Sequence, residues 1–222
     1  MGKQWVRAQV KRNEMQETVD RGLCWVRDNR QTAGIGAGVI AGVLLLGGLF
    51  LYNHRTKQNA AWDDLSWANG LAYSGHTEAA LKKVDELRAA YPGTTASGYG
   101  LLFVGDLLFH RGSFADSVKY YQQLVDRGQP LVLQPFALGG LALAQEAAGQ
   151  CAEAVKTEGS FLGAYPDHFL APQVHAALAR CETALGQKDT AKATLQKIAL
   201  QYPETSWAAW AQERLKALGG GV

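Results

Sequence analysis

The chain has 222 residues, 47% of them hydrophobic and 19% charged, with a formal net charge of +2; this balance supports a packed core and excludes a generally disordered chain. The charge is uneven, with seven Lys/Arg against four Asp/Glu in the first 32 residues and fifteen against sixteen from Asn53 onward. The larger part is therefore near neutral and lacks the basic stripe that neutralises phosphates, so nucleic acid is not an expected partner.

In chain order the first segment is a basic leader, residues 1–32, with Trp5, Val6, Val10, Val19, Leu23, Trp25 and Val26 set among the charges. Two readings stand side by side: an amphipathic helix on anionic lipid with its tryptophans at the interface, or an unstructured tail that only directs topology. The leader is expected to be cytoplasmic.

Residues 33–52 read AGIGAGVIAGVLLLGGLFLY and carry no charge. As a helix, twenty residues cover roughly 30 Å, the thickness of a bilayer's hydrocarbon core. Polar residues border the run on both sides, Asp28 to Gln31 before it and Asn53 to Lys57 after it, which argues for a membrane span over a buried helix of a soluble protein. The long leader and the absence of a small-x-small cleavage site argue against a removed signal peptide. Arg21, Arg27 and Arg30 outnumber Arg55 and Lys57 near the two ends, so a single pass is expected with the N-terminus in the cytoplasm and the solenoid in the periplasm if the membrane is a bacterial inner membrane, or outside the cell in another cell type. Gly34, Gly38 and Gly42 stand four apart and form a smooth strip where another helix can pack.

From Asn53 the sequence repeats. Gly75, Gly112, Gly149 and Gly186 are spaced by 37, 37 and 37 residues. Five residues after each stands a small residue (Ala80, Ser117, Ala154, Ala191), and seven before it another (Ala68, Gly105, Ala142, Ala179). A proline closes three copies, Pro92, Pro166 and Pro203, while the second has Pro130 one position late. The spacing predicts helix hairpins: small residues where two helices cross closely, a glycine at the bend, and a proline that stops the second helix. Apolar residues recur at helical intervals between them, and one hairpin cannot bury that face alone, so neighbours must stack. The expected pairs are 58–73 with 76–90, 95–110 with 113–127, 132–148 with 151–164, and 170–184 with 188–201, followed by a capping helix at 206–218. Glu158 and Gly159 fall in the middle of a predicted helix, which predicts a loose third pair.

These positions resemble the tetratricopeptide repeat, whose usual unit is a few residues shorter, over about Ala61 to Pro203. The resemblance implies an all-α fold: one N-terminal transmembrane helix, then a right-handed α-solenoid of about four helix pairs plus a cap, over residues 53–222. A short leader, one span and a periplasmic solenoid resemble the YfgM type of bacterial envelope protein. That likeness implies an ancillary translocon subunit that handles exported chains with periplasmic chaperones. The segments YPGTTAS and YPETSWAAWAQERLKAL are also similar to repeats of the CpoB/YbgF and BamD scaffolds, which implies the alternative, a structural subunit of an envelope or outer-membrane assembly machine.

Motifs for chemistry are missing. His54, His76, His110, His168 and His175 show no metal-ligand spacing, and no GxSxG, Walker or dinucleotide pattern occurs. Neither an enzyme, a cofactor, a metal nor a small-molecule substrate is expected. Cys151 and Cys181 fall on helices that should pack together, where they form a disulfide or remain two small buried thiols.

The repeat resemblance implies that the first helix of each pair lines a concave groove for protein partners. Its second position carries Trp62, Tyr99, Phe136, Gln173 and Trp210, and nearby positions carry Leu65, Asn69, Leu102, Asp106, Phe109, Leu143 and Arg180. Aromatics there can hold an extended or helical apolar segment, or pack between repeats. Leu65 and Leu102 stand where some relatives use lysine to grip a terminal carboxylate, so that mode of binding is not expected.

Overall fold

A computed structural model describes residues 16–219; the leader's Trp5, Val6 and Val10 lie outside the described residues. All regular structure among those described is helical. Contacts divide the chain into two units, one up to Thr56 and one from Lys57 onward.

In the first unit, α1 covers residues 16–28 and leaves Val19, Leu23, Trp25 and Val26 exposed. Helix α2, Arg30–Tyr73, carries the apolar run. Its most apolar window has a mean hydropathy of 2.2 and none of that window is buried by protein. It is the one helix among the described residues long and apolar enough to cross a bilayer. Gly34, Gly38 and Gly42 face open space. The span expected at 33–52 and the first repeat helix expected at 58–73 both fall within α2, because residues 53–57 contain no glycine or proline to interrupt the hydrogen-bond ladder.

From Lys57 the helices form consecutive hairpins. The last part of α2 pairs with α3, Thr77–Ala90; α4, Thr95–His110, with α5, Phe114–Arg127; α6, Gln134–Ala147, with α7, Cys151–Ala164; and α8, Ala171–Ala184, with α9, Lys188–Gln201. Helix α10, Ser206–Ala217, follows α9 and packs Ala211, Trp207 and Trp210 against Ala176, Leu195 and Ile198. One short 3-10 turn, Leu131–Leu133, precedes α6, so the first helix of the third pair starts two residues later than its apolar pattern suggests.

Each bend has the same construction. Gly75, Gly112, Gly149 and Gly186 have φ of 84°, 78°, 77° and 75°, the left-handed region where a side chain costs about 1–2 kcal/mol. The following amide then reaches back to a helix carbonyl, as in His76 N–H to Leu71 O at 2.9 Å and Gln150 N–H to Gln145 O at 2.8 Å. This closes the orphan carbonyls of the helix end. At the far end of a hairpin the second helix stops at Tyr91, Tyr165 and Tyr202, each with ψ between 53° and 55°. The proline that follows each one disfavours helical backbone there. Thr94 and Thr205 then cap the next helix, their hydroxyls accepting from Ser97 N–H and Ala208 N–H at 3.3 Å. The second hairpin ends instead on Gly128, at φ 68°.

The small residues are buried at the crossings: Ala68, Ala80, Ala142, Ala154 and Ala191 have no exposed surface, and Gly105, Ser117 and Ala179 are buried. The expectation of a loose third pair is overturned. Helix α7 is unbroken, Phe161 and Glu158 within it are fully buried, and Cys151 is disulfide-bonded to Cys181 of α8 with Cα atoms 4.9 Å apart. Gly159 faces open space on the outside of α7, so it leaves no gap in the packing.

Candidate interaction groove

The register of 37 places Trp62, Tyr99, Phe136, Gln173 and Trp210 at one position of successive first helices. The structure groups them, with their neighbours, into three clusters. Trp62 of α2 and Tyr99 of α4 meet at a tilt of 52° with ring centres 5.2 Å apart, and Trp62 is 41% exposed. Such a pair adds about 0.5–1.5 kcal/mol beyond the area it buries.

The central cluster is a pocket of about 280 Å³ whose walls include Leu102, Asp106 and Phe109 of α4, Phe136 and Leu143 of α6, and Gln173 of α8. Three successive first helices thus contribute to one concavity. Tyr121 of α5 lies behind it and donates its hydroxyl to Asp106 Oδ1 at 2.5 Å. The tyrosine ring fits because Gly105 and Gly140 face it: a Cβ at Gly140 would come within 2.5 Å of the ring and one at Gly105 within 2.8 Å. Asp106 opens to the groove, yet the surrounding protein removes much of its water. That desolvation raises its pKa, and the Tyr121 hydrogen bond opposes the rise. Phe136 also meets the rings of His168 and Phe169 edge-on or tilted, at 5.4 and 5.9 Å.

The third cluster lies between α8 and α10. Arg180 holds both oxygens of Glu146 on α6, at 2.5 and 2.8 Å, and its guanidinium sits 5.8 Å from the Trp210 ring centre. Hydrogen bonding to Glu146 raises the arginine's pKa further. A pocket of about 280 Å³ beside it is lined by Arg180, Thr183, Leu195, Trp210 and Arg214.

Leu65 does not belong to the groove. It is 5% exposed and packs with Ala61, Leu87 and Ala96 between the first and second hairpins, because α3 and α4 close over it. Asn69 is half-buried and lines none of these three clusters. Sequence reasoning missed the supports, Tyr121 and Glu146. For Glu146 the signal was its separation from Arg180: 34 residues is one repeat less one helical turn, which sets two charges side by side on stacked helices.

The histidines do not converge. His168 sits in a loop among Phe136, Phe161, Tyr165 and Phe169, while His175 is buried in α8 with Nδ1 3.0 Å from the Tyr202 hydroxyl. Burial lowers the pKa of His175. No group of three metal-ligating side chains occurs among the described residues.

Residues 177–205 match the family described as tetratricopeptide repeat. No curated protein matches the chain. Among solved structures it is similar to a tetratricopeptide repeat protein from Parabacteroides merdae ATCC 43184, with a TM-score of 0.62 and 14% identity over 73% of this chain and 61% of that one. It is also similar to two structures of a putative kinesin light chain with nearly identical TPR-like repeats from Podosopora anserina. Their TM-scores are 0.58 and 0.56, at 17% and 18% identity, over 73% of this chain and 88% of theirs. The chain thus spans less than two thirds of the length of the first of these proteins. The fold from Lys57 onward is that of a tetratricopeptide-type solenoid.

Proposed function

We propose that this chain is a membrane-tethered adaptor that binds protein segments in the groove of its solenoid. The observation that carries the reading is the central pocket, where α4 and α6 present Leu102, Phe109, Phe136 and Leu143 around Asp106 and α8 adds Gln173. An apolar side chain entering there would be desolvated on several sides, and a polar or basic group beside it would meet the Asp106 carboxyl. The tetratricopeptide fold generally serves protein–protein interaction, and binding needs none of the nucleophile, metal or phosphate-cradle arrangements that are missing from the sequence.

The tether is the α2 segment at 33–52, whose Ile35, Val39, Leu44, Leu46 and Phe50 are all more than 60% exposed; water would disfavour that surface and lipid would accept it. With arginines on the N-terminal side, the solenoid faces the periplasm. An oxidising compartment suits the Cys151–Cys181 bond. We infer from the resemblance to the YfgM type that this adaptor works beside the translocon, with exported chains and periplasmic chaperones as its partners and Gly34, Gly38 and Gly42 available for packing on another membrane helix.

The test is photocrosslinking in the native membrane from a photoreactive residue at position 136, with 62 and 99 as further sites. Capture of many unfolded exported chains, reduced at least tenfold by Phe109→Ala with Leu143→Ala, is the expected result. One stoichiometric folded partner would favour the scaffold role instead, and no groove-dependent capture would reject both.

A further inference from the structure

The outer face of α2 stands apart from the groove. Asp63, Ser66, Trp67, Gly70, Leu71 and Ser74 line a cleft of about 440 Å³, and Trp67 is 66% exposed. In the register of 37, the same face of the later first helices is covered. At the position of Asp63 stand Gly100, Ala137 and Val174, all buried; at that of Trp67 stand Val104, 0% exposed, Leu141, 2% exposed, and the half-buried Leu178. At that of Leu71 stand Leu108, Gln145 and Glu182, each 7% exposed.

Downstream, the second helix of the preceding hairpin covers the Asp63 and Trp67 positions, as Leu124 and Tyr121 of α5 do for Ala137 and Leu141, while at the Leu71 position Gln145 meets Thr157 of its own hairpin. Helix α3 sets Val84 against α4, where a Cβ on Gly100 would lie 3.0 Å from Val84 Cγ1, and Val84 clusters with Val104, Leu108 and the half-buried Leu81. A terminal repeat of a soluble solenoid ends in a polar face. Helix α2 instead presents a tryptophan beside Gly70 and two serines, and the Ser74 hydroxyl is turned inward onto Gly70 O at 2.9 Å. Charge selects the occupant. Asp63 stands at the register position of Gly100, which meets Val84 of α3, and it has no ion-pair partner among the described residues, whereas its neighbour Asp64 is held by Lys83 at 2.7 Å. This chain's own second helices place Val84, Tyr121, Glu158 and Leu195 at that point. None is basic, so a second copy docked in the register of the repeat brings no cation to Asp63.

We propose that the Asp63–Trp67–Gly70 face of α2 docks a helix of a second protein that presents Lys or Arg to Asp63, flanked by aliphatic side chains one turn away that pack on Trp67. The contact extends the solenoid by one helix and is independent of the groove.

The probe is a stapled helical peptide with the sequence of residues 77–90, labelled with a fluorophore and made in three forms: unchanged, Val84→Lys and Val84→Glu. Anisotropy is read on the full chain in mild detergent. The Lys form is expected to bind at least tenfold tighter than the Glu form. Asp63→Lys in the chain should reverse that order, and Trp67→Ala should weaken the Lys form at least tenfold. Both side chains are exposed, so unchanged circular-dichroism melting of the variants separates lost docking from lost folding. Binding that ignores the peptide charge, binding that survives Trp67→Ala, or no binding of any form would overturn the proposal. So would a disulfide between two copies formed efficiently through Ser66→Cys, since that assigns the face to self-association.

Discussion

Tyr121 and Glu158 are the same residue of the repeat, one period of 37 apart, and the fold treats them in opposite ways. Both are buried at the centre of a hairpin, in the place filled by Val84 and Leu195 in the first and last copies. Around Tyr121 the neighbouring helices have glycine where a side chain would collide, and the one polar atom donates to Asp106. Around Glu158 neither carboxyl oxygen has a hydrogen-bond partner, and the charges that act on it are Glu146, Arg180 and Glu182. Arg180 is committed to Glu146. A repeat fold thus accepts a polar substitution in its core by two routes. One supplies a partner and room; the other keeps the group neutral and lets the rest of the hairpin carry the cost.

The largest effect expected from breaking this contrast is at Glu158. Burial, aided by Glu146 and Glu182, pushes its pKa up to about 8 from 4.5. The folded chain therefore keeps a proton that the unfolded chain loses, and stability falls as pH rises between those two values. The slope is about 1.4 kcal/mol per pH unit, flattening above the folded value. Glu158→Gln should remove that slope apart from the shares of Glu182 and Asp106, whose pKa values burial also raises. Urea midpoints of the two proteins between pH 5 and 9 should converge at the acid end and separate steadily above it. Parallel lines would mean that the side chain is solvated.

Next in size is the staple that ties this hairpin to the next. Cys151 and Cys181 are 30 residues apart, and reduction should cost about 2–4 kcal/mol. Hydrogen exchange should quicken first in α7 and α8, because the second hairpin has no such bond. Uniform acceleration along the solenoid would contradict a local role.

On the other side of the comparison, Gly140→Ala drives a methyl into the Tyr121 ring and should cost about 1–3 kcal/mol. Paired with Tyr121→Val, the residue of the first copy, the added methyl should cost almost nothing. A cycle without coupling would show that the ring moves aside freely. Smallest is Tyr121→Phe, which removes the donor to Asp106 and should cost about 0.5–1.5 kcal/mol. Because that hydrogen bond lowers the Asp106 pKa, the variant should also raise the carboxyl's titration point, which carbon-detected NMR of the side chain reads directly.

The hairpins were legible in the sequence because their determinants are local. A glycine that must adopt positive φ, a Tyr-Pro that must leave the helix, and a threonine three residues on that caps the next one all act within one turn of chain. The groove was legible in part, since a register of 37 names the residues on one face of each first helix. Leu65 and Leu102 share that register position, yet one is sealed in the core and the other walls the pocket. Only the stacking of neighbouring helices separates them.

The same limit explains the third hairpin. Mid-helix Glu158 and Gly159 read as weakness, because propensity along one helix contains nothing about what lies opposite. In the folded chain the glycine faces outward, the glutamate is enclosed, and a disulfide bridges to the next hairpin. Periodicity and bend chemistry belong to the sequence by itself, since they depend on backbone sterics within a few residues. Which buried group finds a partner, and which face remains open, depends on contacts 12 to 37 residues apart, and those exist only after the helices have stacked.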